Sequence, residues 1–409
     1  MEASLIGFVD GRLVVPDNPE LVALPGDGIG PEVYEATCPA IAAAVEASYG
    51  GRRAITWRVL PIGQAAVAQG LDPLPEGTVE AVRRHRVALK GPTMTPTGGG
   101  HRSINVRLRQ ALDLFRSVRP VRYFEGVKSP VRNPHALNVV IYRENTEDVY
   151  AGIEFAQGTP EATELGDWLR ARNFDVPDDA GLGIKVISKA RSQRLVRAAV
   201  RYAVDRRLQR VTLVHKGNIM KATEGAFLRW GQEVVRQEFA GQAVVASDLK
   251  GAPVPEGVVL VDDRIADAMF QDLILTPSKF DVIATTNING DYISDAAAAQ
   301  VGGLGVAPGA NVGEGIAVFE PTHGTAPDIA GKGVANPGSM ILTAVMLLEH
   351  IGWDEASRLL MMAFAAVLAS GRMTGDLALG RPGILVLSTS GFGDAVAAEV
   401  RRLAALTAG

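Results

Sequence analysis

The sequence predicts an α/β protein built from alternating strand and helix units in layers, and three observations carry that prediction. The chain has 409 residues, 47% of them apolar; this is enough for a large core and exceeds the usual size of one domain, so two domains are expected. Short apolar runs bounded by glycine or polar turns recur along it, as buried strands do. Between them lie longer stretches whose apolar residues return on a helical period, an alternation that favours layered α/β domains over a helical bundle or a β-sandwich.

Taken in order, LVALPGDGIGPEVYEATCPAIAAAVEASYG opens as an apolar strand, turns at its glycines and continues as an alanine-rich helix. Further strands are expected in RVALKG, LNVVIYREN, GLGIKVIS, RVTLVHKG, FDVIATTN and GIAVFE. Helices are expected in SQRLVRAAVRYAVDRR, in TEGAFLRWGQEVVRQEF and over residues 337–351. TMTPTGGGHRS carries the breakers Pro96, Gly98, Gly99 and Gly100 after Thr95, which predicts a shaped loop. GIEFAQGTPEATELGDWLRARNFDVPDDAG interrupts the alternation with turns and mixed polarity, and reads as an elaborate loop or an arm reaching a second subunit.

The 45 acidic and 41 basic residues leave a net charge of -4, which argues against broad nucleic-acid or anionic-membrane binding. An anionic ligand must then be met by a local cluster. The lone cysteine, Cys38, excludes an intramolecular disulfide and a cysteine-rich metal site and is compatible with a reducing compartment. The opening MEASLIGFVDGRLVVPDNPE lacks a basic leader followed by a sustained apolar segment, and MILTAVMLLEHIGW is too short to span a bilayer. A cytoplasmic protein with neither nucleic-acid nor membrane partners is expected.

Several stretches carry candidate chemistry. GDGIG at 26–30 is either a plain strand-to-helix turn or a close backbone approach to an anion, and it lacks the full dinucleotide fingerprint. Arg102, Arg107, Arg109, Arg116 and Arg119 crowd one stretch and Arg143 follows, so convergent guanidinium forks suit a small polycarboxylate, while a solvated or salt-bridged helix face is the plainer alternative. Asp291 and Asp295 are spaced to share a helical face as two hard oxygen ligands for magnesium or manganese, with Asp267 a candidate third, or else a capping or surface pair. Lys216 follows an apolar strand and Tyr150 an acidic turn; each is a candidate proton-transfer group or a structural side chain.

In this order the motifs resemble the metal-dependent β-decarboxylating dehydrogenases of the isocitrate/isopropylmalate dehydrogenase family, most closely the dimeric bacterial isocitrate-oxidising branch. GDGIG, KGPTMTPTGGGHRSINVRLRQ, RPVRYFEG, IYRENTEDVYAGIE, VTLVHKGNIMK, NINGDYISD and FEPTHGTAPDIAGKGVANPGS carry the resemblance across nearly the whole chain. It implies an architecture distinct from the ordinary Rossmann fold: a large α/β domain from residues 1–114 and 302–409, a small one from 115–147 and 191–301, and a dimer clasp over 148–190. It also implies oxidative decarboxylation of D-isocitrate to 2-oxoglutarate and carbon dioxide by an obligate homodimer with shared active sites. Homoisocitrate or 3-isopropylmalate as substrate, or an inactive binding homologue, are the alternatives. Ser103 and Asn105 suit a third carboxylate better than an isopropyl group, and the joint presence of Lys216, Tyr150 and Asp291 argues against an inactive relative.

By the same resemblance Lys90, Ser103, Asn105, Arg109, Arg119 and Arg143 bind substrate, and Tyr150 protonates the enolate left by decarboxylation. Lys216, from the other subunit, assists removal of the hydroxyl proton. Asp291 and Asp295, with Asp267 of the other subunit, hold Mg2+ or Mn2+. The resemblance gives Thr95, Asn218, Glu320, His323, Gly324, Thr325, Ala326, Asp328, Ile329 and Asn336 to the dinucleotide. Asp328 and Ile329 stand where NADP-specific relatives commonly carry a lysine and a tyrosine, and Gly375 and Leu379 align with a further phosphate-binding pair. Two unit charges about 4 Å apart at an effective dielectric of about 20 repel by roughly 4 kcal/mol, so Asp328 against a 2'-phosphate predicts NAD as cofactor.

Overall fold

The computed structural model describes residues 3–94 and 103–407. Residues 95–102 of the predicted loop TMTPTGGGHRS therefore lie outside the described residues, and with them the expected cofactor contact of Thr95. The strands of the main sheet, numbered along the chain, are β1 (Glu20–Leu24), β2 (Thr56–Val59), β3 (Val87–Lys90), β4 (Arg116–Arg122), β5 (Asn138–Glu144), β6 (Arg210–His215), β7 (Ala243–Val245), β8 (Val259–Ile265), β9 (Val282–Thr285), β10 (Ala310–Val312) and β11 (Ala317–Phe319). They form one sheet in the order β7-β8-β6-β9-β5-β4-β10-β11-β3-β1-β2.

Pairing divides that sheet into two parallel flanks joined by an antiparallel centre. The strands from β7 to β5 are parallel, as are those from β11 to β2. Between them β4 runs antiparallel to both β5 and β10. Strands buried on both faces read as continuous apolar runs, which is why RVTLVH, FDVIAT and RVALK are legible as strands. Strand β4, RSVRPVR, is not: it carries three arginines and a proline in mid-sheet. Pro120 is tolerated because β10 pairs only with residues 116–118, so the side of β4 at Pro120 needs no donor.

The longer helices are α1 (Gly30–Tyr49), α2 (Glu76–His85), α3 (Ile104–Ala111), α4 (Pro160–Arg170), α5 (Lys189–Asp205), α6 (Glu224–Glu238), α7 (Ala266–Leu275), α8 (Asn287–Gln300), α9 (Gly338–His350), α10 (Asp354–Ala369) and α11 (Thr389–Thr407). Alternation along β6 sends Val211 and Leu213 toward α5 and α6 and Val214 toward α7 and α8, giving two cores on opposite faces of one flank. On the other flank α1, α9, α10 and α11 share a core in which Phe364 meets Phe124 and Phe392 edge-on at 5.0 and 5.9 Å. The apolar α9 is buried almost throughout within that core, and no helix among the described residues is long and apolar enough to cross a membrane.

The irregular region differs from its sequence reading. Of GLGIKVIS only Leu182 and Gly183 are extended, pairing with Glu154 and Phe155 in a short ribbon. Two residues of ladder suffice because the stretch pairs with a local strand instead of entering the main sheet. The mixed-polarity segment holds α4, capped by Thr159 Oγ1 accepting from the Ala162 amide at 3.2 Å.

Candidate active site

The carboxyl ends of β5 and β9 and the antiparallel strand β4 build the site, where the crevice of an α/β sheet is expected. Alternation on β4 turns Ser117 and Arg119 to one face. Arg143 is the penultimate residue of β5, and β9 leads directly into α8, which carries Asn287, Asp291, Ser294 and Asp295. Helix α8 comes close because residue 290 is glycine: a Cβ there would sit 2.6 Å from the Arg143 Cβ. The acidic turn ENTEDVY fastens the helix start, with the Ile288 amide donating to Asp148 Oδ2 at 3.0 Å and Asn287 Nδ2 to the Glu147 carbonyl at 3.0 Å. Its carboxylates are therefore structural, and the turn delivers Tyr150 over Arg143, ring to guanidinium 4.9 Å.

These residues meet in a cleft of about 330 Å³ that Ser103, Asn105, Arg109, Arg119, Arg143, Tyr150, Asp291, Glu320, His323 and Gly324 help line. Asp291 is its hub. It accepts from Arg143 Nη1 and from Tyr150 Oη, the latter at 2.5 Å, and Arg119 Nη1 lies 3.5 Å away. Arg119 also donates to Ser294 Oγ at 2.6 Å and to Asp295 Oδ1 at 3.3 Å. Burial opposes ionisation of Asp291, but Arg143, the Tyr150 hydroxyl and Arg119 outweigh it and hold the carboxyl below its ordinary range. For Asp295 burial wins over Arg119, and the carboxyl is pushed up. Burial, reinforced by Arg143, pushes Arg119 down to about 10, and the same two causes lower Arg109, whose Nε is buried without a partner among the described residues. Crowded, desolvated guanidinium groups of this kind call for an anion with several carboxylates.

Behind the cleft runs a polar chain that sequence reading did not assemble. Lys90 is wholly buried and donates to Glu320 Oε1 at 2.6 Å and to the Gly91 carbonyl at 2.9 Å. Glu320 accepts from Asn311 Nδ2 at 3.1 Å, and Asn311 Oδ1 accepts from Asn145 at 3.0 Å. Lys90 thus supports the cleft wall from behind and does not line it. Burial lowers Lys90 against the pull of Glu320. Asn287 and Ser294 were also missed, although they share the helical face of Asp291 and the spacing could have revealed them.

Lys216, Asn218 and Asp267 lie elsewhere in their own chain. Lys216 pairs with Asp267, and the exposed Asn218 follows on the same turn after β6; none of the three lines the cleft. Among the described residues no three histidine, cysteine, aspartate or glutamate side chains form a metal cluster. Asp291 and Asp295 nevertheless fit a hard divalent cation in chemistry: two carboxylates one helical turn apart, satisfied by arginines here and needing a third oxygen ligand.

The glycine turn and the HGTAP loop form one unit. The Ile29 amide donates to the Thr325 carbonyl at 2.9 Å, and a Cβ on Gly28, at φ +59°, would lie 2.1 Å from that oxygen. GDGIG is therefore a packing turn that seats the loop. His323 Nδ1 meets the Gly324 carbonyl at 2.9 Å while its Nε2 is buried without a partner among the described residues, an orphan that suits a dinucleotide in the cleft. Asn336 is committed internally, donating to Asp376 Oδ2 at 2.9 Å and accepting from the Gly338 amide at 2.8 Å. Ala326, Asp328 and Ile329 are exposed on or beside a single 3-10 turn at Pro327–Ile329.

The isocitrate/isopropylmalate dehydrogenase family model matches residues 20–396. An isocitrate dehydrogenase of Staphylococcus epidermidis, NADP-dependent by name, is 46% identical over 422 residues, covering 98% of this chain and 100% of the relative. One of Archaeoglobus fulgidus, also NADP-dependent by name, is 46% identical over 402 residues, covering 97% of each. The crystal structure of isocitrate dehydrogenase from Methylococcus capsulatus superposes with a TM-score of 0.78 at 38% identity, over 93% of this chain and 99% of that one. These relatives correct the cofactor expectation: their names carry NADP, which overturns NAD. Repulsion of that size needs a phosphate held about 4 Å from Asp328. That residue is exposed, so water screens its charge and nothing imposes the close approach. With the shared architecture of large and small α/β parts and this extent of identity, the chain belongs to the isocitrate/isopropylmalate dehydrogenase family.

Proposed function

We propose that this chain oxidises and decarboxylates D-isocitrate to 2-oxoglutarate and carbon dioxide with NADP, as a cytoplasmic homodimer that uses Mg2+ or Mn2+. The observation that carries the reading is the convergence of Arg109, Arg119 and Arg143 on one cleft with Tyr150 and Asp291. The three guanidinium groups take two substrate carboxylates, and Ser103 and Asn105 face the third from the start of α3. Tyr150, kept protonated by burial, has a proton to donate to the carbon that loses its carboxylate. Asp291 and Asp295 hold the cation with the partner subunit's Asp267, and the partner subunit's Lys216 assists removal of the hydroxyl proton. When bound, the dinucleotide accepts hydride and the cation supplies Lewis acidity.

The position of Lys216, Asn218 and Asp267 outside their own cleft supports the shared site. So does exposed apolar surface at Ile219, Tyr292 and Trp168, which a second copy would cover. The exposed Lys332, on the same loop as Asp328, is a cation available to the 2'-phosphate. The test is initial-rate kinetics at 340 nm with D-isocitrate, Mg2+ and NADP, beside 3-isopropylmalate and homoisocitrate. Turnover confined to D-isocitrate is expected; a higher kcat/KM for another substrate, or none for any, overturns the proposal.

A further inference from the structure

Strand β4 has a second face. Its alternation sends Arg116, Val118, Pro120 and Arg122 away from the cleft into a groove of about 420 Å³ on the opposite side of the sheet. Val140, Phe319, Val345 and Met346 give it an apolar floor and wall, and Tyr142 and His350 add polar groups. Among the described residues its one carboxylate, Glu349, is already paired with Arg206. Neither Arg116 nor Arg122 has a carboxylate within ion-pair distance among the described residues; each leans on a phenylalanine ring instead, at 5.1 and 4.8 Å. His350 Nε2 is buried with no hydrogen-bond partner among the described residues.

We propose that this groove is a second ligand site, for a small monocarboxylate with an aromatic or branched apolar body, its carboxylate paired with Arg116 and accepting from His350 Nε2. The volume suits a ligand of that size. An unpaired, partly desolvated guanidinium is a standing electrostatic deficit that a carboxylate removes. Burial and the neighbouring Arg116 push His350 down to about 4, so the ring is neutral at pH 7 and offers one N–H. Burial keeps the Tyr142 hydroxyl protonated as a further donor. Because β4 is the common wall, with Arg119 on one face and Arg116 on the other, occupancy of the groove alters the KM for isocitrate. That consequence rests on the proposed dehydrogenase function; the binding itself does not.

The experiment is calorimetric titration of the full chain with 2-naphthoate at pH 7.5, in saturating D-isocitrate and Mg2+ so that the cleft is filled. One site per chain is expected. The neutral 2-naphthalenemethanol should bind at least about tenfold more weakly, and Arg116→Met should weaken naphthoate by about tenfold or more. Met346→Trp, which fills the groove, should abolish binding while the unfolding temperature stays within a few degrees. Absence of saturable binding, equal affinity for acid and alcohol, or binding unchanged in both folded variants overturns the proposal. The acid-to-alcohol comparison needs no substitution and decides the charge argument even where a variant fails to fold.

Discussion

Asp291 neutralises more charge than any other residue of the site, and its removal has a signature that separates electrostatics from packing. In Asp291→Asn, Arg143 and Arg119 lose their shared counter-ion in a buried setting, an expected cost of about 1–3 kcal/mol at pH 7. The folded carboxyl titrates below its ordinary value. Its stabilisation is therefore full above the unfolded pKa, near 4, and is lost as pH falls through the folded pKa. Denaturant melts of both proteins should diverge at pH 7 and converge as the pH falls through the folded pKa; a gap that persists once the carboxyl is fully protonated would assign the effect to packing. Opposite shifts are expected on the cofactor loop: Asp328→Lys should lower KM for NADP, and Lys332→Ala should raise it, each by roughly threefold to tenfold given their exposure. Steady-state kinetics at low salt measure both, and shifts of the same sign would remove these side chains from the phosphate.

At the scale of elements, legibility followed burial. The apolar runs of β3, β6 and β9 and the helical periods of α5, α6 and α9 were readable because each buries a continuous or periodic set of side chains. Strand β4 was hidden, since both of its faces serve ligands or clefts and its arginines mimic a solvated helix. The arginine cluster and the Asp291–Asp295 pair were legible as candidates, whereas the Lys90–Glu320–Asn311 chain was not: its members lie far apart in sequence and meet only through the sheet. The packing of the other flank is testable at Phe364, which sits between two aromatic rings with none of its surface exposed. Phe364→Ala should lower stability by about 3–5 kcal/mol in urea unfolding, and a loss under about 1 kcal/mol would mean that α10 collapses into the space.

At the scale of the molecule, the proposed function makes the site a property of two flanks and of two copies. Tyr150 and the arginines come from one chain, while Lys216 and Asp267 face outward from it, so activity should fall on dilution in step with dimer dissociation. Mixing an inactive Lys216→Met protein with an inactive Tyr150→Phe protein should restore up to about a quarter of the activity per site if subunits exchange at random. Mixtures that stay inactive after verified exchange would place both groups in one chain.

The pairing of β3 with β11, Val87 against Ala317 to Leu89 against Phe319, also sets an order of assembly during synthesis. The flank holding β5, β6, β8 and β9 has all its strands by residue 285. The flank that begins the chain must wait for β11, and α1 for α11, the last long helix. A nascent chain therefore completes its middle before its beginning, and β3 emerges from the ribosome as an apolar strand still lacking its β11 neighbour. In pulse-labelled hydrogen exchange during refolding, amides of β6 and β9 should gain protection ahead of those in β1 and β3. The segment most in need of a chaperone is the one made first.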